Sequence, residues 1–517
     1  MTRSRTFIVV TVVAVIALIA GVVLVAVALT RDNDDGDDWT APKPTASASA
    51  PSGLAKFYNQ KVSWSGCGDS TRCAWIKVPI DYAKPDGATT RLRAVVHPAT
   101  SGKAKRSILV NPGGPGGSAV DFAKTMESSF GDDVRRMYDI VGVDPRGVAE
   151  SSPLKCLPDK AFDAFTETDP DPDDPAEITA LRQSIKDLGE ACEKNSGELA
   201  AHVSTVEVAK DMDVVRALLG RPKLDWFGAS YGTELGAVYA QLFPTKVGRM
   251  VLDGAVDPAL GPVDSSLGQT TGFQRALDAY AKDCVKQSKC PLGSDAQAGL
   301  GKIADLMKQL DGKPMSALPG RPLTEGQAFY GIAVTLYDRT TWTYLTQALE
   351  AAFKGDGSIL LRLSDVYFNR EQDGSYGGNL GQVIYAVNCL DAPDRLTVQQ
   401  TEAALPRFEQ VSPVFGRALG WGALGCADWP IKVTNPLPKI EAKGAPPILV
   451  LGTTRDPATP YEWAESLAKQ LSSGVLVTRE GDGHTAYTSG NKCITRAVDA
   501  FFTKGTVPQK GLTCKES

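Results

Sequence analysis

The chain has 517 residues, 43% hydrophobic and 22% charged, which supplies apolar surface for several cores and excludes a disordered or fibrous protein. Formal net charge is -5, and the first 53 residues carry -1 of it through Arg3, Arg5, Arg31 and Lys43 against Asp32, Asp34, Asp35, Asp37 and Asp38. A body this acidic has no excess of cations for neutralising phosphates, so no nucleic-acid partner is expected.

Residues 6–30 are uncharged and mostly Val, Ala, Ile and Leu. At about 1.5 Å per residue they can cross a hydrocarbon layer of about 30 Å, so 1–30 read as a membrane anchor or signal segment. Arg3 and Arg5 before the run and the acidic residues after it place the N-terminus inside and the body outside. The alternative is a cleaved secretory signal, for which Ala26-Val27-Ala28 supplies a small-x-small site. Both readings make the body extracellular or cell-surface. Residues 31–53, rich in Asp, Pro, Ala and Ser without apolar periodicity, read as a disordered linker.

Short β-rich runs follow at 74–80, 92–97, 107–111, 138–144, 224–228 and 250–253, several of them continuously apolar. A helix is predicted over 205–219, where Val208, Met212, Val215 and Leu219 repeat at three to four residues, with Ser204 and Glu207 as a capping box. Strand–helix alternation then stops, and helical patterns at 267–284, 297–310 and 341–353 take over. Strands return at 448–452 and 474–478. The pattern predicts an α/β fold with a mostly parallel sheet: core at 54–253, a large, mainly helical cap at 254–443 inserted before the last strands, and core again at 444–517.

Ten cysteines suit an oxidising compartment. Sequence leaves their connectivity open, and pairing between chain neighbours is expected: Cys67 with Cys73, Cys156 with Cys192, Cys284 with Cys290, Cys389 with Cys426, and Cys493 with Cys514. Their spacings do not fit a zinc site, and no metal or cofactor is expected.

Gly228-Ala229-Ser230-Tyr231-Gly232 joins a predicted strand to a predicted helix. A strained turn there would project the Ser230 hydroxyl, with small neighbours where backbones approach closely. A hydroxyl nucleophile needs a base, and the chain has three histidines, His97, His202 and His484. His97 falls in a strand and His202 just before the capped helix, so both read as structural. His484, in a loop beyond the last predicted strand, is the expected base. Asp456, immediately after the 448–452 strand, is the expected orienting carboxylate; Asp482 is its rival but lies only two residues from the histidine. The order Ser, Asp, His is that of α/β hydrolases. Asn111-Pro112-Gly113-Gly114-Pro115-Gly116-Gly117 follows an apolar strand and can turn amides toward an oxyanion, so Gly114 and Tyr231 are the expected backbone donors.

These motifs, with Val143-Asp144-Pro145-Arg146-Gly147, Ser151, Cys156 and Asn388-Cys389-Leu390-Asp391, resemble the secreted α/β-hydrolase serine peptidases related to prolyl iminopeptidase, and most closely the actinobacterial tripeptidyl aminopeptidases. The resemblance spans about residue 55 to the end. Prolyl iminopeptidases carry His-Gly-Gly-Pro-Gly-Gly, where this chain has Pro112 in place of the histidine, which argues against proline specificity. The resemblance implies an exported aminopeptidase releasing short N-terminal fragments, tripeptides in that branch, from peptides with a free α-amine. Binding that ammonium in a partly desolvated pocket calls for a carboxylate; Asp391 is the first choice and Glu234, just behind the serine, the second. Asp144 and Arg146 are expected to brace the loops beneath the site. The alternatives are an esterase or lipase for small acyl substrates on the same triad, and a binding protein that keeps only the fold.

Overall fold

The structure, a computed structural model, describes residues 50–516. The expected membrane segment and most of the linker lie outside the described residues. Among the described residues no helix is long and apolar enough to cross a membrane.

Among the described residues ten strands form one sheet. They are β1 (Ser65–Gly66), β2 (Arg72–Pro79), β3 (Thr89–His97), β4 (Arg106–Asn111), β5 (Tyr138–Val143), β6 (Leu224–Ala229), β7 (Val247–Asp253), β10 (Ile448–Arg455), β11 (Gly474–Asp482) and β12 (Leu512–Cys514), while β8 (Met315–Leu318) and β9 (Arg321–Leu323) make a separate hairpin. The order is β1-β2-β3-β5-β4-β6-β7-β10-β11-β12. β1, β2 and β3 pair antiparallel, as do β3 and β5, and every pairing from β5 through β4 to β12 is parallel. β5 and β6 are buried at every position, as parallel strands covered on both faces must be.

Side-chain alternation divides the apolar residues between those faces. Trp226, Leu252 and Val450 pack with Val208, Met212 and Leu235 on one side. Phe227, Val251 and Leu449 pack with Met126, Ile494 and Val498 on the other. The inserted block has its own core, with Phe273, Leu277, Ile332, Leu345, Leu360 and Phe415 among its buried members. The fold is that of an α/β hydrolase with a mainly helical cap. The short β8–β9 pair inside the cap is the element that the helical reading of that block lacks.

The helix Thr205–Leu218 forms as predicted, but its capping box does not. The Glu207 carboxylate instead meets His202 Nδ1 at 2.7 Å, and the Thr205 amide donates to Asp391 at 2.8 Å. His202 thus takes the Glu207 side chain, and a carboxylate 186 residues away in the chain serves the first helical amide. The five expected disulfides are all formed.

Candidate active site

Ser230 sits between β6 and the helix Tyr231–Leu242 with φ +54° and ψ −127°. This strained geometry is held from both sides: the Ser230 amide donates to the Asp253 carbonyl at 2.9 Å and its carbonyl accepts from Thr233. A Cβ on Gly228 would stand 2.0 Å from the Gly232 carbonyl, and one on Gly232 would stand 2.6 Å from that of Asn111. No side chain fits at either position, which is why the motif has glycine there.

The glycine loop lies against the same turn. Asn111 Oδ1 accepts from the Gly113 amide at 3.0 Å, and a Cβ on Gly113 would fall 2.8 Å from the Tyr231 nitrogen and 2.9 Å from Ser230 Cβ. Gly114 follows with φ +112°. Tyr231 is the first residue of its helix, so its amide has no acceptor within the helix and the positive end of the dipole stands at Ser230. The helix Leu380–Asp391 of the cap closes over the loop, with Leu380 Cα 2.9 Å from where a Cβ on Gly116 would lie.

Asp456 follows β10 and is fully buried. Its Oδ1 and Oδ2 lie 2.9 and 3.0 Å from His484 Nδ1. Backbone amides of Ala458, Thr459 and Thr485 also donate to it, which fixes its position. His484 Nε2 is buried and has no hydrogen-bond partner among the described residues. Burial opposes charging of this imidazole, but the Asp456 charge and hydrogen bond, with Asp253 behind them, outweigh it and lift the pKa above the usual histidine value. One dipeptide joins the two halves of the site. Asp253 holds Ser230 through its carbonyl, while a Cβ on Gly254 would stand 3.2 Å from His484 Cε1.

The rival readings separate clearly. Asp482 pairs with Arg455, Nη2 to Oδ2 at 2.9 Å, and not with the histidine. His202 is paired with Glu207, and His97 ends β3 opposite Ile140.

Residues 412–514 match the model of the TAP-like protein family. Over 476 residues the chain is 36% identical to serine protease Hip1 of Mycobacterium tuberculosis, covering 88% of this chain and 91% of that protein. It is 38% identical over 469 residues to carboxylesterase B of the same organism, covering 87% and 89%, and 31% identical over 467 residues to tripeptidyl aminopeptidase of Streptomyces lividans, covering 88% and 86%. The chain belongs to the TAP-like family. It is a hydrolase of the α/β-hydrolase fold, in a family that includes serine peptidases.

In this TAP-like hydrolase the two carboxylates expected to anchor an amine differ in their surroundings. Asp391 is buried and already engaged, accepting from the Thr205 amide at 2.8 Å and the Thr205 hydroxyl at 2.6 Å; that hydroxyl lies 2.5 Å from the Tyr231 hydroxyl. Burial pushes its pKa up to about 7. Glu234, one helical turn past Ser230, is 8% exposed and has no side-chain hydrogen bond among the described residues. Burial, and then the Asp391 charge, push its pKa up to about 8.

Asp144 and Arg146 occupy bracing positions. Asp144 accepts from Ser118 Oγ and the Val120 amide at the start of the helix after the glycine loop. Arg146, with no exposed surface, forks onto Asp211 at 2.7 and 2.8 Å and donates to the carbonyls of Pro79, Ile80 and His202.

Two contributors escape sequence reasoning. The Asp253 carboxylate accepts from the Ala486 and Tyr487 amides at 2.7 and 2.8 Å and shapes the turn that carries His484. Its place at the end of β7 was the available signal. Tyr337 of the cap accepts the His484 amide proton on its carbonyl at 2.7 Å and sets its ring edge-on to the imidazole at 5.3 Å. No local pattern announces that contact.

Proposed function

We propose that the protein is an exported serine aminopeptidase that releases short N-terminal fragments, tripeptides, from peptides with a free α-amine. The observation that carries the reading is the His484 ring: Nδ1 is held by buried Asp456 while Nε2 is buried and without a partner among the described residues, beside the dipeptide that also holds Ser230. His484 Nε2 takes the Ser230 proton as Oγ attacks the scissile carbonyl. The Gly114 and Tyr231 amides stabilise the oxyanion. His484 then protonates the leaving amine, and the peptide bond breaks to leave an acyl-enzyme. Water, deprotonated by His484, releases the acyl product and restores Ser230. The cycle draws on no metal or cofactor.

Free-amine selectivity is supported by Glu234, a buried carboxylate with no hydrogen-bond partner among the described residues, one turn from the nucleophile and in the field of a second buried carboxylate at Asp391. An α-ammonium would supply the missing counter-charge. Asp391 contributes its field, since both of its oxygens are engaged by Thr205. Release of tripeptides rests on the Streptomyces relative's name. Export is supported by the five disulfides and by the uncharged 6–30 segment. That segment would hold the enzyme to the membrane or be removed.

The second reading, an esterase for small acyl substrates, is favoured by the relative named carboxylesterase B. Rates on unblocked tripeptide anilides, their N-acetylated counterparts and short esters separate the two. The aminopeptidase prefers the unblocked peptides; an esterase favours the esters and ignores blocking.

A further inference from the structure

Far along the chain from the serine motif, the loop at residues 167–174 links the helices Asp159–Thr166 and Pro175–Ser196 and reads Glu-Thr-Asp-Pro-Asp-Pro-Asp-Asp. It packs on the cap: a Cβ on Gly326 would lie 3.3 Å from the Thr168 carbonyl and 3.4 Å from that of Thr166. Here Asp169 and Asp171 from the loop meet Asp311 at the end of the helix Ala296–Gly312 and Glu325 at the start of the helix Glu325–Leu336. Each offers one carboxylate oxygen, and the four oxygens lie within 4.8 Å of one another.

The second observation is that two of these groups hold buried oxygens without donors, while the Asp171 amide donates to Asp169 Oδ1 at 2.9 Å. Glu325 is 7% exposed, and among the described residues neither its buried Oε2 nor the buried Asp171 Oδ1 meets an N–H or hydroxyl donor; the two carboxyls face each other and could bond only by holding a proton between them. Glu325 is not used by its helix, whose capping box is made by Thr324 and Gln327. The ion pair that reaches the cluster among the described residues is Arg417 Nε to Asp171 Oδ2 at 3.7 Å, and Arg417 is shared with Glu409. Four carboxylates therefore face one divided positive charge. The neighbouring Asp174 and Glu177 differ, because they form the capping box of the next helix, and exposed Asp173 beside them gives its backbone amide to Glu177.

We propose that Asp169, Asp171, Asp311 and Glu325 form a calcium site that ties the 167–174 loop to two helices of the cap. Calcium takes six to eight oxygens at about 2.4 Å, so oxygens on one ion can be up to about 4.8 Å apart, and the four oxygens here fall inside that limit. An all-oxygen donor set selects a hard cation over zinc or copper. Carboxylates drawn from three separate elements suit the irregular coordination of calcium better than the near-octahedral demand of magnesium. Half-exposed Asp169 and exposed Asp311 leave a side open for entry and for water ligands. A bound ion would fasten the cap to the segment beneath it, independently of whether the enzyme cleaves peptides or esters.

The test uses the purified protein after EDTA treatment and dialysis into calcium-free buffer, titrated with CaCl2 by calorimetry and followed by thermal melting. The expected result is about one ion per chain, a Kd between about 10⁻⁶ and 10⁻³ M, a Tm raised by calcium, and magnesium binding about tenfold or more weaker. Glu325→Gln and the exposed Asp311→Asn should each weaken calcium binding about tenfold or more, whereas Asp173→Asn should bind as the wild type does. If Glu325→Gln does not fold, Asp311→Asn decides. A wild-type protein with no heat of binding and no Tm response to calcium would overturn the site, as would Glu325→Gln or Asp311→Asn binding calcium as tightly as the wild type. Sharing of protons among the carboxyls, the competing account, gives the first of these negative results.

Discussion

Replacing Glu234 by Gln tests amine recognition without touching the reacting atoms. The side chain is 8% exposed, has no hydrogen-bond partner among the described residues, and lies in the field of Asp391, so solvent screens it weakly. Gln keeps the shape and removes the negative charge that Glu234 takes on when an ammonium beside it displaces its proton. A hydrogen bond to a charged group contributes about 1.5–3 kcal/mol, so kcat/KM for unblocked tripeptide anilides should fall about 10- to 150-fold. N-acetylated counterparts, which bring no ammonium, should lose less than about threefold. Stability supplies a second readout. Burial raises the Glu234 pKa from its ordinary value near 4.5 to about 8, so the folded protein holds this proton more tightly than the unfolded chain does. As pH rises between those values the wild type loses stability through this group, and above about 8 the full penalty is present. The variant escapes that loss, so its Tm relative to wild type should climb from pH 5 toward pH 9. Equal losses on blocked and unblocked substrates, or no loss on either, would refute the role assigned to Glu234.

Three further outcomes are expected. Asp456→Asn should lower kcat by about 10³- to 10⁴-fold, because the amide cannot hold the His484 tautomer or stabilise the imidazolium; single-turnover kinetics on an activated ester measure it. The acid limb of kcat/KM should lie above pH 6.5, since the base works only when neutral and its pKa is raised by Asp456 and Asp253 against the effect of burial; a limb below 6 in the pH–rate profile would contradict this. Arg146→Ala should cost about 3–5 kcal/mol by leaving Asp211 buried and unpaired, read as a lower denaturation midpoint.

The parts of the site that could be read from sequence are those with local requirements. The Gly228 to Gly232 turn is legible because no Cβ fits at either glycine, and Asp456 and His484 because they follow strands that end at one edge of a parallel sheet. What sequence missed or misread depends on contacts between distant segments. Ser204 and Glu207 have the local signature of a capping box, yet His202 captures Glu207 and Asp391 reaches the helix N-terminus from the cap. The same contact leaves Asp391, the first choice for the amine, with both oxygens engaged by Thr205. Tyr337 and the Asp253 carboxylate act on the His484 loop from other elements, and β8 and β9, at four and three residues, are too short to show a period of two. Reading cysteine spacing for metals passes over oxygen ligands, which is why the Asp169, Asp171, Asp311 and Glu325 cluster emerges only in three dimensions.

The most direct test of the proposed triad is labelling with a fluorophosphonate probe followed by peptide mapping. The wild-type protein should carry one adduct, on Ser230; Ser230→Ala should fold, take up no label and hydrolyse nothing, and His484→Ala should label far more slowly. An adduct on another residue, an unreactive wild type, or wild-type hydrolysis by Ser230→Ala would contradict the account.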